Sequence, residues 1–447
     1  MRKIVLLSVL ILFTAFTAFS ETVSLEQARA LALANSRSLA KYNLAIRSSV
    51  LDERSQLYTM LPSVSAGYSA SMNYLNRDWE LVNPVDTFNS GLDIAVTQKI
   101  FEGGKSFIQK SLAAIATESV RNEALAEYFN VLDSADNAYY AALEAAATME
   151  AEEASLQAAL SGLAIAEIRQ ASGMLNRGDF LKALADKEAR ENARDQARRS
   201  LSLSRMKLKA LTGIETGATL EQVKFDAYDR LIRALAGISD EDADVLYDRF
   251  WRLLVQANPS LARAALNSQR AEKNLSMAKR DFSPTLSATL FSSGINYSVA
   301  SGFSSSSGGG LTIRGSIPVD FWVMNNKIEK SKIARDSTAL DYKSAEINLE
   351  TELQSALFNA FAYAGAVVHS RLSLEYAEKH FEYVSERYRL SQSSISDLGE
   401  ASALLINSRN SHIKSRYGFL QALSKLRSLG AIDDEQKLMK ILTGDEN

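Results

Sequence analysis

What most limits how this chain can fold is a long stretch with nothing in it to stop a helix. No proline occurs between Pro84 and Pro259, and from Lys105 to Ser172 the only glycine is Gly162. Proline removes a backbone donor and glycine costs backbone entropy, so the usual interruptions are missing. Leu125, Phe129, Leu132, Ala135, Tyr139, Ala142 and Ala146 recur at helical spacing. A helix of about sixty residues or more, at about 1.5 Å each, is a rod roughly 100 Å long, several times the usual globular helix. The run Gly173-Met-Leu-Asn-Arg-Gly-Asp179 breaks it, and a helical pattern returns from Ala183 to Leu211. On the return, Ala185, Ala189, Ala193, Ala197 and Leu201 form a narrow stripe where another helix can approach closely. The remaining faces carry mixed charge, from Asp186 to Asp195. One narrow packing stripe with much polar surface suits the wall of a water-filled tube better than a dry bundle.

The rod is flanked by segments of a different period. From Glu21 a helix pattern runs to Leu61, where Pro62 stops it. Val64, Ala66, Tyr68, Ala70, Met72 and Tyr74 then alternate with Ser63, Ser65, Gly67, Ser69, Ser71 and Asn73. That period of two predicts a strand with one apolar and one polar face. A loop over 75–90 follows, and a second alternating run puts Leu92, Ile94, Val96 and Ile100 on one face before Gly103-Gly104.

The second half of the chain repeats this order. Pro284 follows Pro62, and Lys327 follows Lys105, by 222 residues in each case. Leu254 to Ala262 echoes Leu31 to Ala40, with Asn258 standing for Asn35. Leu286, Ala288 and Leu290 alternate up to a phase shift near Ser292-Ser293-Gly294, read as a β-bulge. The Ser/Gly-rich loop 301–310 separates this strand from a fourth, and a second proline-free rod breaks between Ser391 and Asp397. This internal duplication gives the predicted organisation. Residues 1–20 are a signal segment, and 21–213 form repeat one, with strands at 63–74 and 91–101 and a helical hairpin over 104–212. An equatorial segment spans 214–244. Repeat two covers 245–429, with strands at 285–299 and 311–321 and a hairpin over 325–429, and a tail spans 430–447.

Arg2 and Lys3 precede an uncharged run from Ile4 to Phe19 and the small-residue site Ala18-Phe-Ser20, a secretory signal pattern. No other stretch is apolar enough for a spanning helix. A net charge of −3 gives no reason to expect nucleic acid as a partner. The absence of cysteine excludes disulfides, thiol nucleophiles and lipid attachment through an N-terminal cysteine. Gly104-Lys105-Ser106 ends like a phosphate-binding loop, but Lys99 stands where that motif needs glycine. His369, His380 and His412 are scattered without a carboxylate cluster, so they read as surface or packing histidines. No cofactor, no metal and no enzyme are expected.

Each alternating strand has about the 9–11 residues that cross an outer membrane at a tilt. Four strands cannot close a membrane barrel, whose minimum is about eight, and lipid offers no partner to an open edge. Membrane strands of this kind therefore require an oligomer. Tyr74 and Tyr297 suit an interfacial girdle.

The order helix, proline, strand, loop, strand and long helical hairpin, written twice behind a signal segment, resembles the TolC-type outer-membrane efflux proteins. Val96-Thr-Gln-Lys-Ile-Phe-Glu-Gly-Gly104 is similar to the family's strand-to-helix signature, with Lys99 at its usual proline. The second copy keeps Pro318 but has Asn325-Asn326 in place of Gly103-Gly104. The tip pattern is matched fully by Gly173, Asp179, Leu181 and Ala183, and in part by Ser391, Asp397 and Ala401. The resemblance implies a mainly α chain with a membrane β portion, trimerising into a twelve-stranded barrel above a periplasmic helical barrel. Such a homotrimer would cross outer-membrane lipid and meet a periplasmic adaptor and an inner-membrane transporter, of the RND, ABC or a similar type, for efflux or type I secretion. The resemblance also assigns a tip latch between Tyr388 and Asp179, with Ser393 where the family has an arginine, and an acidic entrance ring at Asp397 and Glu400. The alternative is a periplasmic coiled-coil scaffold or adaptor without channel activity, whose strands form a soluble domain.

Overall fold

The computed structural model describes residues 22–72, 88–298, 302–304 and 308–443. The signal segment, Tyr74, most of the loop 75–90 and residues 301 and 305–307 of the second loop lie outside them. The described chain falls into two compact units. One comprises the residues up to Asn35, Val131–Ile238 and Asn359–Ser424; the other comprises Ser36–Asn130, Ser239–Phe358 and the residues from Lys425. These units cut across the duplication, because the two longest helices, Lys105–Ala171 and Phe321–Arg389, each contribute to both.

The elements run in the duplicated order. Where one N-terminal helix was expected, there are two, α1 (Leu25–Asn35) and α2 (Arg37–Tyr58). Ser36 divides them: its extended backbone lets the side chain cap α2 by accepting from Leu39 N. After β1 (Ser63–Met72) and β2 (Phe88–Phe101), α3 (Lys105–Ala171) and α4 (Arg177–Thr212) form the first hairpin. The equatorial segment 214–244 contains α5 (Asp229–Ala236) and the start of α6 (Asp240–Ala257). Then come α7 (Pro259–Lys279), β3 (Thr285–Ser298), β4 (Gly302–Ser304) and β5 (Gly308–Ser316). α8 (Phe321–Arg389) and α9 (Ile395–Leu429) form the second hairpin, followed by α10 (Glu435–Thr443). Pro259 opens α7 at a position where its missing N–H costs nothing. Among the described residues no helix is long and apolar enough to cross a membrane.

The fourth strand departs from the expected 311–321. It ends at Ser316, and α8 is already under way at Phe321 rather than at 325. Pro318 has no N–H for a ladder bond, so the chain leaves the sheet beside it.

The sheet lies in the second unit and is antiparallel throughout, with β2 and β3 central and β5 on the far side of β3. Register sorts its two faces. Val64, Val96, Leu290 and Leu311 form one row, while Ser63, Thr97, Thr289 and Thr312 form another. Cross-strand neighbours share a face, so the rows are apolar on one side and hydroxyl-bearing on the other. Thr97 and Thr289 hydroxyls lie 3.1 Å apart. The predicted bulge is present, since the register shifts where Leu92 pairs Ile295 and Asp93 pairs Ser293, leaving Gly294 extra.

The duplicated asparagines do equivalent work at helix ends. Asn35 Nδ2 donates to Thr212 O at 2.6 Å, and Asn258 Nδ2 donates to Leu429 O at 3.0 Å. Each satisfies an orphan carbonyl at the end of a return helix. Asn258 Oδ1 also caps α7 by accepting from Ser260 N and Leu261 N. In the first unit Arg29 grips the fully buried Asp136 through two bonds of 2.6 and 2.9 Å, and Ser424 Oγ donates to the same carboxylate. Burying that charge is tolerable only because it is paired and hydrogen-bonded.

Candidate functional site

Both hairpins turn with the same local chemistry. α3 ends as Gly173 takes a left-handed φ of 73° while Met174 N reaches back to Arg169 O at 2.8 Å. α8 ends the same way, with Ser391 at φ 64° and Gln392 N on Arg387 O at 2.7 Å. These are Schellman-type ends, which favour glycine because a Cβ is strained there. Ser391 holds the conformation without being glycine. The return helices then begin with reciprocal caps. Asn176 Oδ1 accepts from Asp179 N at 2.8 Å and its amide donates to Asp179 Oδ2 at 2.7 Å. Ser394 Oγ accepts from Asp397 N at 3.1 Å and Ser394 N donates to Asp397 Oδ2 at 2.9 Å. Asp397 therefore closes a capping box, and Asp179 bonds the side chain of its own N-cap residue. Ser393 Oγ also donates to Asp397, and these bonds, from Ser394 first, hold the Asp397 carboxyl below the usual range. Glu400 is exposed one turn further on.

The tips share a small core of Ala166, Ala183, Tyr388 and Ile395, with Phe180 and Leu398 against it. Gly162, the single glycine of α3, sits where a Cβ would come within 3.2 Å of Leu398 Cδ2. Tyr388 is 1% exposed and Arg169 8%. The Arg169 guanidinium lies 4.4 Å from the Tyr388 ring centroid, and its Nη2 donates to Tyr388 O. Burial pushes the Tyr388 phenol up; the Arg169 charge opposes this and the Asp179 charge adds to it. The Tyr388 hydroxyl is buried and has no hydrogen-bond partner among the described residues. The expected bond from Tyr388 to Asp179 is thus not made: Asp179 spends its carboxylate on Asn176 and, at 3.4 Å, on Lys182. Lys182 Nζ also donates to Ser396 Oγ at 3.1 Å, which ties α4 to α9.

Two contacts at the tips have no clear signal in the sequence. Ser393 sits at the family's arginine position, but Arg169, on the opposite hairpin, puts a guanidinium on Tyr388. Its only sequence signal was a basic residue in the last turn of α3. Lys182 likewise gave no motif.

The strand-to-helix signature lies in the second unit. Gly103 and Gly104 have φ of 63° and 75°, and a Cβ on either would collide with Ser283 or with Arg280. Asn325 and Asn326, their sequence counterparts, lie inside α8 and make no turn. The helix there starts earlier, so no left-handed pair is needed. His412 is a packing histidine, hydrogen-bonded through Nδ1 to Ser370 Oγ at 3.1 Å. Among the described residues no cluster of three or more metal-ligating side chains occurs.

Long helical hairpins with interlocked tips, continuous with an amphipathic antiparallel sheet, define an outer-membrane channel fold. Solved structures agree. The Campylobacter jejuni CmeC outer membrane channel matches at TM-score 0.76 and 15% identity, over 95% of this chain and 90% of that one. The Vibrio cholerae outer membrane protein VceC matches at 0.74 and 16%, over 91% and 96%. The Neisseria gonorrhoeae MtrE outer membrane channel, solved in an open state, matches at 0.64 and 16%, over 91% and 88%. Residues 252–431 match the family model of the outer membrane efflux proteins. The matched segment runs from within α6 to just past the end of α9, and so covers most of the second repeat. A search of curated proteins found no significant match.

Proposed function

We propose that this chain is the passive exit duct of a tripartite efflux or type I secretion system, a homotrimer gated at its hairpin tips. The observation that carries the reading is the sheet: one apolar face, one hydroxyl-bearing face, and long strands with open edges at β1 and β5. An open edge in lipid leaves backbone groups without partners, so three chains would close twelve strands. Exposed heptad stripes in the same unit support a partner copy: Leu44, Leu51 and Tyr58 on α2, and Ile333, Leu340 and Ile347 on α8.

At the tips, the Tyr388–Asp179 latch is reassigned to a contact centred on Arg169. Opening moves the second hairpin away from the first, which breaks the guanidinium contact and the Lys182–Ser396 bond together. Asp397 and Glu400, three copies of each, give a mouth that prefers cations. A periplasmic adaptor and an energised inner-membrane transporter would drive opening, and substrate choice would rest with that transporter. Mass in mild detergent and planar-bilayer recording test the reading. A trimer with small, cation-selective conductance is expected; a stable folded monomer, or a trimer silent even after Arg169→Ala, sinks it.

A further inference from the structure

The hydroxyl-bearing face of the sheet also carries charge, and register sorts that charge by sign. Lys99 pairs Ser287, and Ser287 pairs Arg314, so a row close to the helices is basic on this face. Lys99 and Arg314 are both exposed. Lys99 stands at the usual proline of the strand-to-helix signature. It shares its charge with Glu102 at 2.7 Å, which leaves Arg314 as the surplus charge of the row. The row of Thr97, Thr289 and Thr312 follows, and then that of Ala95, Phe291 and Gly310. The next row holds Gly67, Asp93, Ser293 and Gly308, and Asp93 is its one charge. Asp93 is exposed, and a Cβ on Gly67 would come within 2.8 Å of both carboxylate oxygens. The glycine therefore lets the carboxylate lie along the sheet.

A merely wetted face would gain most from opposite charges set as cross-strand neighbours, where they stabilise a sheet. Here the signs are kept apart. The two charged rows are separated along β2 by about 20 Å, at about 3.3 Å per residue. That exceeds the screening length of about 10 Å in 0.1 M salt, so each row acts by itself. Resting on the channel reading above, this face lines the bore, and three chains repeat each charge around it. We propose that Arg314, with Lys99, forms a basic collar in the barrel and that Asp93 forms an acidic ring further out. The two are specificity-determining sites in series, acting first on anionic and then on cationic groups of a passing solute. The bore then suits solutes that carry both signs of charge, whereas the acidic mouth by itself favours cations.

The chain has no cysteine, so a single introduced thiol can report the local potential. Thr312→Cys lies in the row beside the collar, and Ser69→Cys in the row beside Asp93. Full-length protein in the outer membrane of intact cells is treated from outside with two methanethiosulfonate reagents, sulfonatoethyl (anionic) and trimethylammonioethyl (cationic). The ratio of their rates at each thiol is compared in 0.1 M and 1 M salt. Reagents added outside reach the barrel without passing the tips, so the state of the gate does not enter. Thr312→Cys should favour the anionic reagent, and adding Arg314→Gln should cut that preference about threefold. Ser69→Cys should favour the cationic reagent, with Asp93→Asn cutting that preference to a similar extent. In 1 M salt, where the screening length is about 3 Å, both preferences should largely vanish. A ratio that its charge variant leaves unchanged removes that ring and leaves the channel reading standing. Thiols that neither reagent reaches in the membrane, though both react in detergent, put the hydroxyl face away from water and remove the channel reading as well.

Discussion

Arg169→Ala is the most informative single change at the tips. Arg169 is nearly buried, stacks on Tyr388 and donates to the Tyr388 carbonyl at the last turn of α8. A hydrogen bond from a charged donor is worth about 1.5–3 kcal/mol, and a partly desolvated cation–π contact about 1–2 kcal/mol. The carbonyl keeps a second donor, Ser391 N at 3.0 Å, so it is not orphaned by the change. The loss should therefore sit near about 2–3 kcal/mol per chain, or roughly 30- to 150-fold in the open–closed ratio of one hairpin pair. In planar bilayers Arg169→Ala should raise open probability and mean conductance. Protease nicking at the tips should rise with it, while the trimer persists in detergent. Arg169→Lys should fall between, because lysine keeps the charge but not the planar stack. Unchanged conductance and nicking in a trimeric Arg169→Ala protein would refute the assignment and leave Arg169 as mere packing.

Four other changes separate gate, scaffold and mouth. Ser391→Gly relieves a left-handed backbone and should stabilise the second hairpin by about 1 kcal/mol, seen as a higher melting temperature; a lower one would show that the serine is not strained. Asn258→Ala loses both a cap and a buried donor to Leu429 O, and should cost about 2–3 kcal/mol in denaturant unfolding, against under about 0.5 kcal/mol for an exposed control. Burial holds His412 near a pKa of about 4, against 6.5 normally, with the Arg416 and Arg371 charges helping. Because the folded pKa is depressed in a base, its contribution is complete above pH 6.5 and is lost as pH falls toward 4, by up to about 3 kcal/mol. His412→Gln should flatten that acid slope in melts, and an unaltered slope would exonerate the histidine. Asp397 is held below its usual 3.8, so cation preference should be constant between about pH 7 and 5 and should drop in Asp397→Asn with Glu400→Gln; an unchanged reversal potential would remove the ring.

The sequence by itself determined the elements and their order. Periodicity is local, so the rods, the alternating strands, the bulge at Gly294 and the tip breaks at Gly173 and Ser391 could all be read from short windows. The duplication could be read because Pro62 and Pro284, like Lys105 and Lys327, recur 222 positions apart, and Asn35 and Asn258 recur within one position of that frame. Boundaries were harder. Ser36 interrupts a helix by capping it, and Pro318 ends a strand that alternation alone would have carried on to 321.

Only the tertiary structure decided which side chains meet. Tyr388 and Asp179 were expected to bond, yet the Tyr388 hydroxyl finds no partner among the described residues, while the Asp179 carboxylate bonds Asn176 three positions away. Ser393 left the latch without its arginine, and Arg169 supplies a guanidinium from 219 positions away in the chain. No window of sequence contains that pair. At the sheet, alternation gave two faces, but only register aligned Val64, Val96, Leu290 and Leu311 into one row. The local pattern fixes what each segment can be; which segments touch depends on packing contacts that no local pattern encodes.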